Sequence, residues 1–297
     1  MADNIASVYA VQYGTNISLL LQQKGSKLRQ AVQTGSYMGK ASEVVTQYGA
    51  TSARAVSTRY QPIVPVNTPN NRRWVFPEDF DWADLIDNFD KLRLLADPQS
   101  AYSQNGLYAM GRAIDDVIIS GIYGTNKTGE AGGTSTVFDA TNQQIAVNYA
   151  ASGNVGLTVD KLREARRILM ENEVDLDAEP AYCAISAEQH DDLLGQLQVT
   201  NADFNTDAPV LQDGKVTRFL GINFIHTERL PVSSGTTHRR CPVWVPSGVH
   251  LGMWNDIVSN VTQRRDLSSH PFQVYLMGTF GATRTEEKKV VDILCAE

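Results

Sequence analysis

The chain has 297 residues, 42% of them hydrophobic and 20% charged, with a net charge of −7 and a pI near 5.3. That composition fits an ordinary globular protein with room for two domains or one elaborate one. The acidic balance excludes a surface that wraps nucleic acid throughout, and no apolar run approaches the ~20 residues of a membrane helix.

The opening segment "MADNIASVYA" has no basic residue leading into an apolar stretch, so it does not read as a secretory signal. Residues 1–50 are polar, with Gly14, Gly25, Gly35, Gly39 and Gly49 scattered among them. Between Asn4 and Ser42 stand Lys24, Lys27, Arg29 and Lys40 and no acid. "NISLLLQQKGSKLRQ" is compatible with a short helix; the rest reads as an arm with little core of its own. Such an arm is either a solvated tail or a segment that lies on another subunit.

Residues 51–77 carry Arg54, Arg59, Arg72 and Arg73 and no acid, whereas residues 78–90 carry Glu78, Asp79, Asp81, Asp84, Asp87 and Asp90 and no base. In the basic block Val56, Thr58, Tyr60, Val64 and Val66 share one face by alternation, with Ser57, Arg59 and Gln61 on the other. The turn-rich "NTPNN" then precedes "RRWVF". This predicts a long β-hairpin, exposed because Pro62 and Pro65 cannot donate to a ladder. At ~3.3 Å per residue it would project roughly 30–40 Å, and a ribbon of that length needs something to lie against. In the acidic block, Phe80 and Trp82 suggest an amphipathic turn.

Asp97-Pro98 is a good helix start. Leu107, Met110, Ile114, Val117 and Ile118 follow at helical spacing, which predicts a helix from Pro98 to Ser120. Gly106 and Gly111 each cost such a helix ~1 kcal/mol relative to alanine, so close packing is expected there. After a glycine-rich loop, Val159, Leu162, Ala165 and Leu169 mark a second helix, and "AYCAIS" reads as a strand. Ser186 and Gln189 have capping-box spacing ahead of a third helix. An Asp-Gly turn and alternating strands are expected in "DGKVTRFLGINFIHTERLP". "PVWVP", "VHLGMW", "PFQVYLMGTFGATRT" and "KKVVDIL" close the chain as strands.

No catalytic constellation emerges. "GIYGTNKT" at 121–128 matches a phosphate-binding loop except that Asn126 stands at the second glycine, and a helix precedes it where a strand is needed. "HTE" at 226–228 with Cys241-Pro242 lacks the second cysteine of a zinc deaminase. His190, His226, His238, His250 and His270 have no ligand spacing. The acidic block has Asp84 where an EF-hand needs glycine, and Ser247 lacks the glycines of a nucleophile elbow. Cys183, Cys241 and Cys295 are far apart in sequence and read as reduced thiols. No catalytic residue, metal or cofactor is expected.

The order of parts carries more information than any single part: arm, basic hairpin, acidic segment, long helix, α/β insertion, closing strands. "AEPAYCAISAEQHDDLLGQL" followed by "DGKVTRFLGINFIHTERLP", and the terminal "FQVYLMGTFGATRTEEKKVVDI", resemble passages of tailed-bacteriophage major capsid proteins with the Hong Kong 97-type fold. The resemblance covers essentially the whole chain. It implies an α+β fold with an N-terminal arm (1–50), an extended loop (51–82), a peripheral domain with a spine helix (83–127 and 255–297) and an axial domain (128–254). It implies a non-enzymatic shell subunit that forms hexamers and pentamers of an icosahedral head enclosing double-stranded DNA without sequence-specific contact. Implied partners are a scaffolding protein, a portal protein and minor capsid or decoration proteins; no membrane is involved. An encapsulin-like compartment shell and a nucleotide-binding enzyme are the alternatives.

In such shells the extended loop of one subunit lies across its neighbour. The two charge blocks then become complementary halves of one contact, with Arg54, Arg59, Arg72, Arg73 and Trp74 on one side and Glu78, Asp79, Asp81, Asp84 and Asp87 on the other. The plainer reading is two solvated faces. Some members of the family weld subunits through an isopeptide bond from a loop lysine to a neighbour's asparagine. This chain has no lysine between Lys40 and Lys91.

Overall fold

The computed structural model describes residues 22–86, 99–196, 199 and 214–297. Three sheets organise it. β1 (Gln33–Ser36), β12 (Val249–Gln263), β13 (Phe272–Arg284) and β4 (Glu78–Ile86) form a four-stranded sheet in the order β1-β12-β13-β4. A six-stranded sheet runs β7 (Gln144–Ile145), β14 (Val290–Cys295), β11 (Arg239–Trp244), β8 (Ala181–Ile185), β10 (Ile222–His226) and β9 (Arg218–Phe219). The third sheet joins β2 (Ser42–Tyr48), β3 (Asn70–Val75), β5 (Asn126–Thr128) and β6 (Thr134–Thr136).

Helix α1 (Gln99–Tyr123) packs on β13, β4 and β12 and is the long helix that the periodicity predicts. Met110, Ile114, Val117 and Ile118 are buried, while Leu107 is 41% exposed. The start at Asp97-Pro98 lies outside the described residues. Both glycines sit at close approaches. A Cβ on Gly106 would come within 2.6 Å of Trp82 and Leu276, and one on Gly111 within 2.5 Å of the Gly25 backbone. At its C-terminal end, Arg284 donates to the carbonyls of Gly121, Ile122 and Gly124.

The arm departs from expectation from Gln22 onward. Leu28, Ala31 and Val32 are buried in the chain's own core, and Trp244 Nε1 donates to Ala31 O at 2.8 Å. The expected helix is absent from residues 22–28; a single 3-10 turn, Arg29–Ala31, stands after them. What pins this strap is Asp115 of α1. Its buried carboxylate accepts from Ser26 Oγ and Gln23 Nε2, each at 2.5 Å, and from the backbone N–H groups of Lys27 and Leu28. β1 then pairs parallel with β12.

The ribbon also differs from the expected hairpin. β3 pairs antiparallel with β2, from Ser42↔Val75 to Tyr48↔Asn70, so residues 49–69 are the loop between its arms and contain no strand. Apolar residues alternate at 56–66, but Pro62, Pro65 and Pro69 remove donors, and no strand among the described residues offers them a ladder. The arm's own "SEVVTQY" supplies the partner instead. Residues 78–86 of the acidic block form a strand, not a turn. Phe80, Trp82, Asp84 and Ile86 alternate inward and Asp79, Asp81, Ala83 and Leu85 outward along β4.

Two further helices, α2 (Val159–Glu171) and α3 (Ala187–Leu194), begin where expected: Thr158 caps the first, and Gln189 Oε1 accepts from Ser186 N–H at 3.1 Å in a capping box on the second. The β9–β10 hairpin turns at Leu220-Gly221, both at positive φ (50° and 78°), a type I′ signature. Asp213, half of the expected Asp-Gly turn, lies outside the described residues. The closing strands appear as β11 to β14. β12 runs through residues 254–255, and β14 pairs with β11 and β7 in the six-stranded sheet.

Candidate subunit-contact surface

The loop between β2 and β3 is exposed along most of its length. Val56, Tyr60, Ile63, Val64 and Val66 are 62–96% exposed, a cluster of large apolar side chains that a lone soluble chain rarely displays. Its bonds are few and local: Arg54 donates to Pro62 O at 3.1 Å, and Ser57 N–H donates to Gln61 Oε1 at 3.2 Å. Gly49 N–H donates to Pro69 O at 2.7 Å and closes the neck.

Below the neck the ribbon is held firmly. Arg73, only 6% exposed, makes a bidentate pair with Glu287 at 2.5 and 2.8 Å. Arg73 Nε donates to Gln47 Oε1 at 3.2 Å, and Gln47 Nε2 donates to Thr285 O at 2.7 Å. Trp74 is half-buried and donates from Nε1 to Gly129 O at 2.8 Å.

The basic candidates therefore separate. Arg54 and Arg59 stand exposed on the loop, and Arg59 has no ion pair among the described residues. Arg72 is exposed beside Glu43, at 3.7 Å. Arg73 does not belong with them: its charge is satisfied inside the chain, contrary to the expectation of an intersubunit role. Its partner lies 214 positions away, and nothing local in the sequence signals that pairing.

The acidic candidates form an edge. β4 is the outermost strand of its sheet, with Glu78, Asp79 and Asp81 exposed and Asp84 half-buried; Asp87 lies outside the described residues. Asp79 accepts from Thr279 Oγ1 at 2.7 Å. The register puts Asp81, Met277 and Val258 in one row across the sheet, on the face that α1 does not cover. Met277, Val258 and Leu85 are 41%, 42% and 48% exposed there. Carboxylates and apolar side chains thus share one open face.

The catalytic lookalikes take structural positions. Gly121 lies in α1, and Lys127 lies on β5, where its Nζ donates to Ser135 Oγ at 2.9 Å; the segment after the glycines is a strand, not a helix. Ser247 Oγ accepts from Lys289 Nζ at 3.2 Å. His226 pairs with Glu228 at 2.8 Å on the surface. Among the described residues no group of three His, Cys, Asp or Glu side chains could hold a metal. The three cysteines, distant in sequence, converge on β8, β11 and β14, and each is buried. Burial pushes the Cys183 thiol up, while the Cys295 side chain and burial do so for Cys241.

A family model described as phage capsid protein matches residues 5–297. The fold is that of solved phage shells. It is similar to the capsid of cyanophage P-SCSP1u, at 14% identity and a TM-score of 0.76 over 100% of this chain and 96% of that one. The cyanophage Pam1 capsid matches at 13% identity and 0.76, over 100% and 99%. The capsid of a native GTA particle matches at 12% and 0.70, over 99% and 97%. No curated protein sequence matches.

Proposed function

This chain belongs to the phage capsid protein family, and from that premise we propose how its surfaces join one subunit to the next. It is a structural subunit of a phage head shell with a Hong Kong 97-type fold. Neither the cargo-compartment nor the nucleotide-enzyme reading is favoured. In our reading the loop 49–69 of one subunit lies on the outer face of β4, β13 and β12 of its neighbour. Arg54 and Arg59 meet Asp79 and Asp81, and Val56, Tyr60, Ile63, Val64 and Val66 cover Met277, Val258 and Leu85. The observation that carries this is the loop itself, apolar, basic and exposed among the described residues. Each exposed ion pair is worth only ~0–1 kcal/mol. The apolar cover contributes roughly 25 cal/mol per Å² buried, and the charges set register and salt sensitivity.

Reversing Arg54, Arg59 and Arg72 to Glu tests it. The triple variant is expected to give a folded subunit by circular dichroism, because none of the three is buried, yet no closed shells by electron microscopy. An insoluble variant would mean that these arginines hold the subunit internally. Normal shells would remove the loop from the contact.

The same reading makes the shell non-covalent. An isopeptide bond needs an amine that can lose its proton, and arginine, protonated to pKa ~12 or beyond, cannot supply one. Residues 41–90 contain no lysine, and the three thiols are buried. Mature particles boiled in detergent are expected to run as one band near 32.7 kDa, with or without reductant; a ladder in reductant would refute this.

Catalysis has no part in this role. Assembly is guided by a separate scaffolding protein, and the finished shell meets a portal protein and encloses double-stranded DNA without reading its sequence. Uniform shells from the chain expressed alone would remove the need for the scaffold.

A further inference from the structure

The loop reaches a neighbour only in the direction its root allows, and that root is held by an unusual set of groups. Arg73 comes from β3, Glu287 from the 3-10 turn Glu287–Lys289 between β13 and β14, and Arg284 from the end of β13. Glu287 takes both Arg73 nitrogens at 2.5 and 2.8 Å, and its Oε1 lies 3.8 Å from Arg284 Nε. Arg284 is fully buried and donates onward to the last carbonyls of α1, with Thr136 O of β6 also within 3.5 Å. A continuous chain of charged groups thus runs from the ribbon to the end of the long helix. A single carboxylate serves two cations at its centre, so the ribbon cannot swing without breaking that pair.

A bidentate guanidinium–carboxylate pair fixes angle as well as distance, because both planes must coincide. A pair needed only for stability could be built anywhere in the core. This one spans the junction between the ribbon sheet and the body, beside Gln47, whose amide bridges Arg73 to Thr285 O. The loop tip lies many residues beyond that junction, so a few degrees at the root become several ångströms at the tip.

We propose that Glu287 is a positioning residue: with Arg73 and Arg284 it sets the angle of the ribbon against α1, and so the angle between adjacent subunits and the uniformity of shell size. The proposal rests on the loop being the intersubunit contact, and it predicts an effect that loss of that contact would not produce. Breaking the contact abolishes shells; loosening the root leaves shells of the wrong sizes.

The test compares full-length wild type, Glu287→Gln, Arg73→Lys and Ile293→Val, each expressed with the same phage head-assembly genes. Ile293 is a buried residue of β14, away from the ribbon, and its truncation is a control for lost stability. Particle diameters are read by negative-stain microscopy, and subunit folding by thermal melts. Glu287→Gln and Arg73→Lys are expected to keep a folded subunit and to form shells whose diameter distribution is at least twice as broad as wild type, or splits into two classes. Ile293→Val is expected to keep the wild-type diameter. Wild-type diameters at reduced yield for the root variants would overturn the proposal, as would insoluble root variants beside a soluble Ile293→Val. Absence of shells from wild type itself would count against the assembly reading instead.

Discussion

Replacing Asp115 with alanine is expected to cost the subunit about 4 kcal/mol, since hydrogen bonds to a charged group contribute roughly 1.5–3 kcal/mol each and unmet buried donors add to the loss. The carboxylate is fully buried and is the shared acceptor of Gln23, Ser26, Lys27 and Leu28. Without it, two backbone N–H groups lose their acceptor inside the protein, and the strap 22–37 loses its hold on α1. The strap carries Leu28, Ala31 and Val32 into the core, so its release exposes apolar surface as well. A total stability of 5–15 kcal/mol leaves little margin for such a change. At roughly 2 °C per kcal/mol for a chain of this size, Tm should fall by about 8 °C. Asp115→Asn keeps one acceptor but turns an amide toward the other donors, and it should lose about half as much. A fall below about 2 °C in Asp115→Ala would show that the strap is held by packing alone.

The second large effect is expected at Arg284. Its guanidinium is fully buried and donates to the carbonyls of Gly121, Ile122 and Gly124, the open end of α1. Burial brings its pKa down to about 10, with the Glu287 carboxylate working the other way. Arg284→Met keeps much of the volume, and Glu287 retains Arg73, so no bare buried charge remains. The Ile122 and Gly124 carbonyls nevertheless lose their donor at about 1–3 kcal/mol each, while Gly121 O keeps Asn126 Nδ2, a loss of about 3 kcal/mol after partial relaxation. Arg284→Lys should recover little: one ammonium cannot serve a spread of carbonyls as a planar fork does, and burial suppresses its charge more readily. Urea melts of the subunit measure both. Equal stability of Arg284→Lys and wild type would show that charge alone, and not the fork, closes the helix end.

Much of the architecture was legible as periodicity. Met110, Ile114, Val117 and Ile118 marked α1, Val159, Leu162, Ala165 and Leu169 marked α2, and β11 to β14 followed their alternation. Gly106 and Gly111 are the close approaches that their cost to a helix predicts. Where reading failed, a local pattern had no partner to act on. The alternation at 56–66 satisfied every local rule for a strand, yet a strand exists only against a ladder, and the chain supplies one to residues 70–75 instead. On β4, Phe80, Trp82 and Ile86 have a period of two, which outweighs the turn that the aromatic pair suggests.

The candidate surface divides along the same line. Composition and order alone dictate that opposite charges lie in adjacent blocks, that residues 41–90 hold no lysine, and that a segment rich in proline and valine lies within the basic block. These are properties of composition and order, and no fold can alter them. Which arginines are available depends instead on what packs against them in three dimensions. Arg72 and Arg73 are chain neighbours of the same type, and one faces solvent while the other is closed into a pair with Glu287. Asp115 and Asp116 divide likewise: the first is buried under the strap, and the second pairs with Arg229 at the surface. Adjacent residues on a strand or a helix point in different directions, so burial is set by what packs on each side. That neighbour comes from a distant part of the chain, and its identity is written in no local pattern.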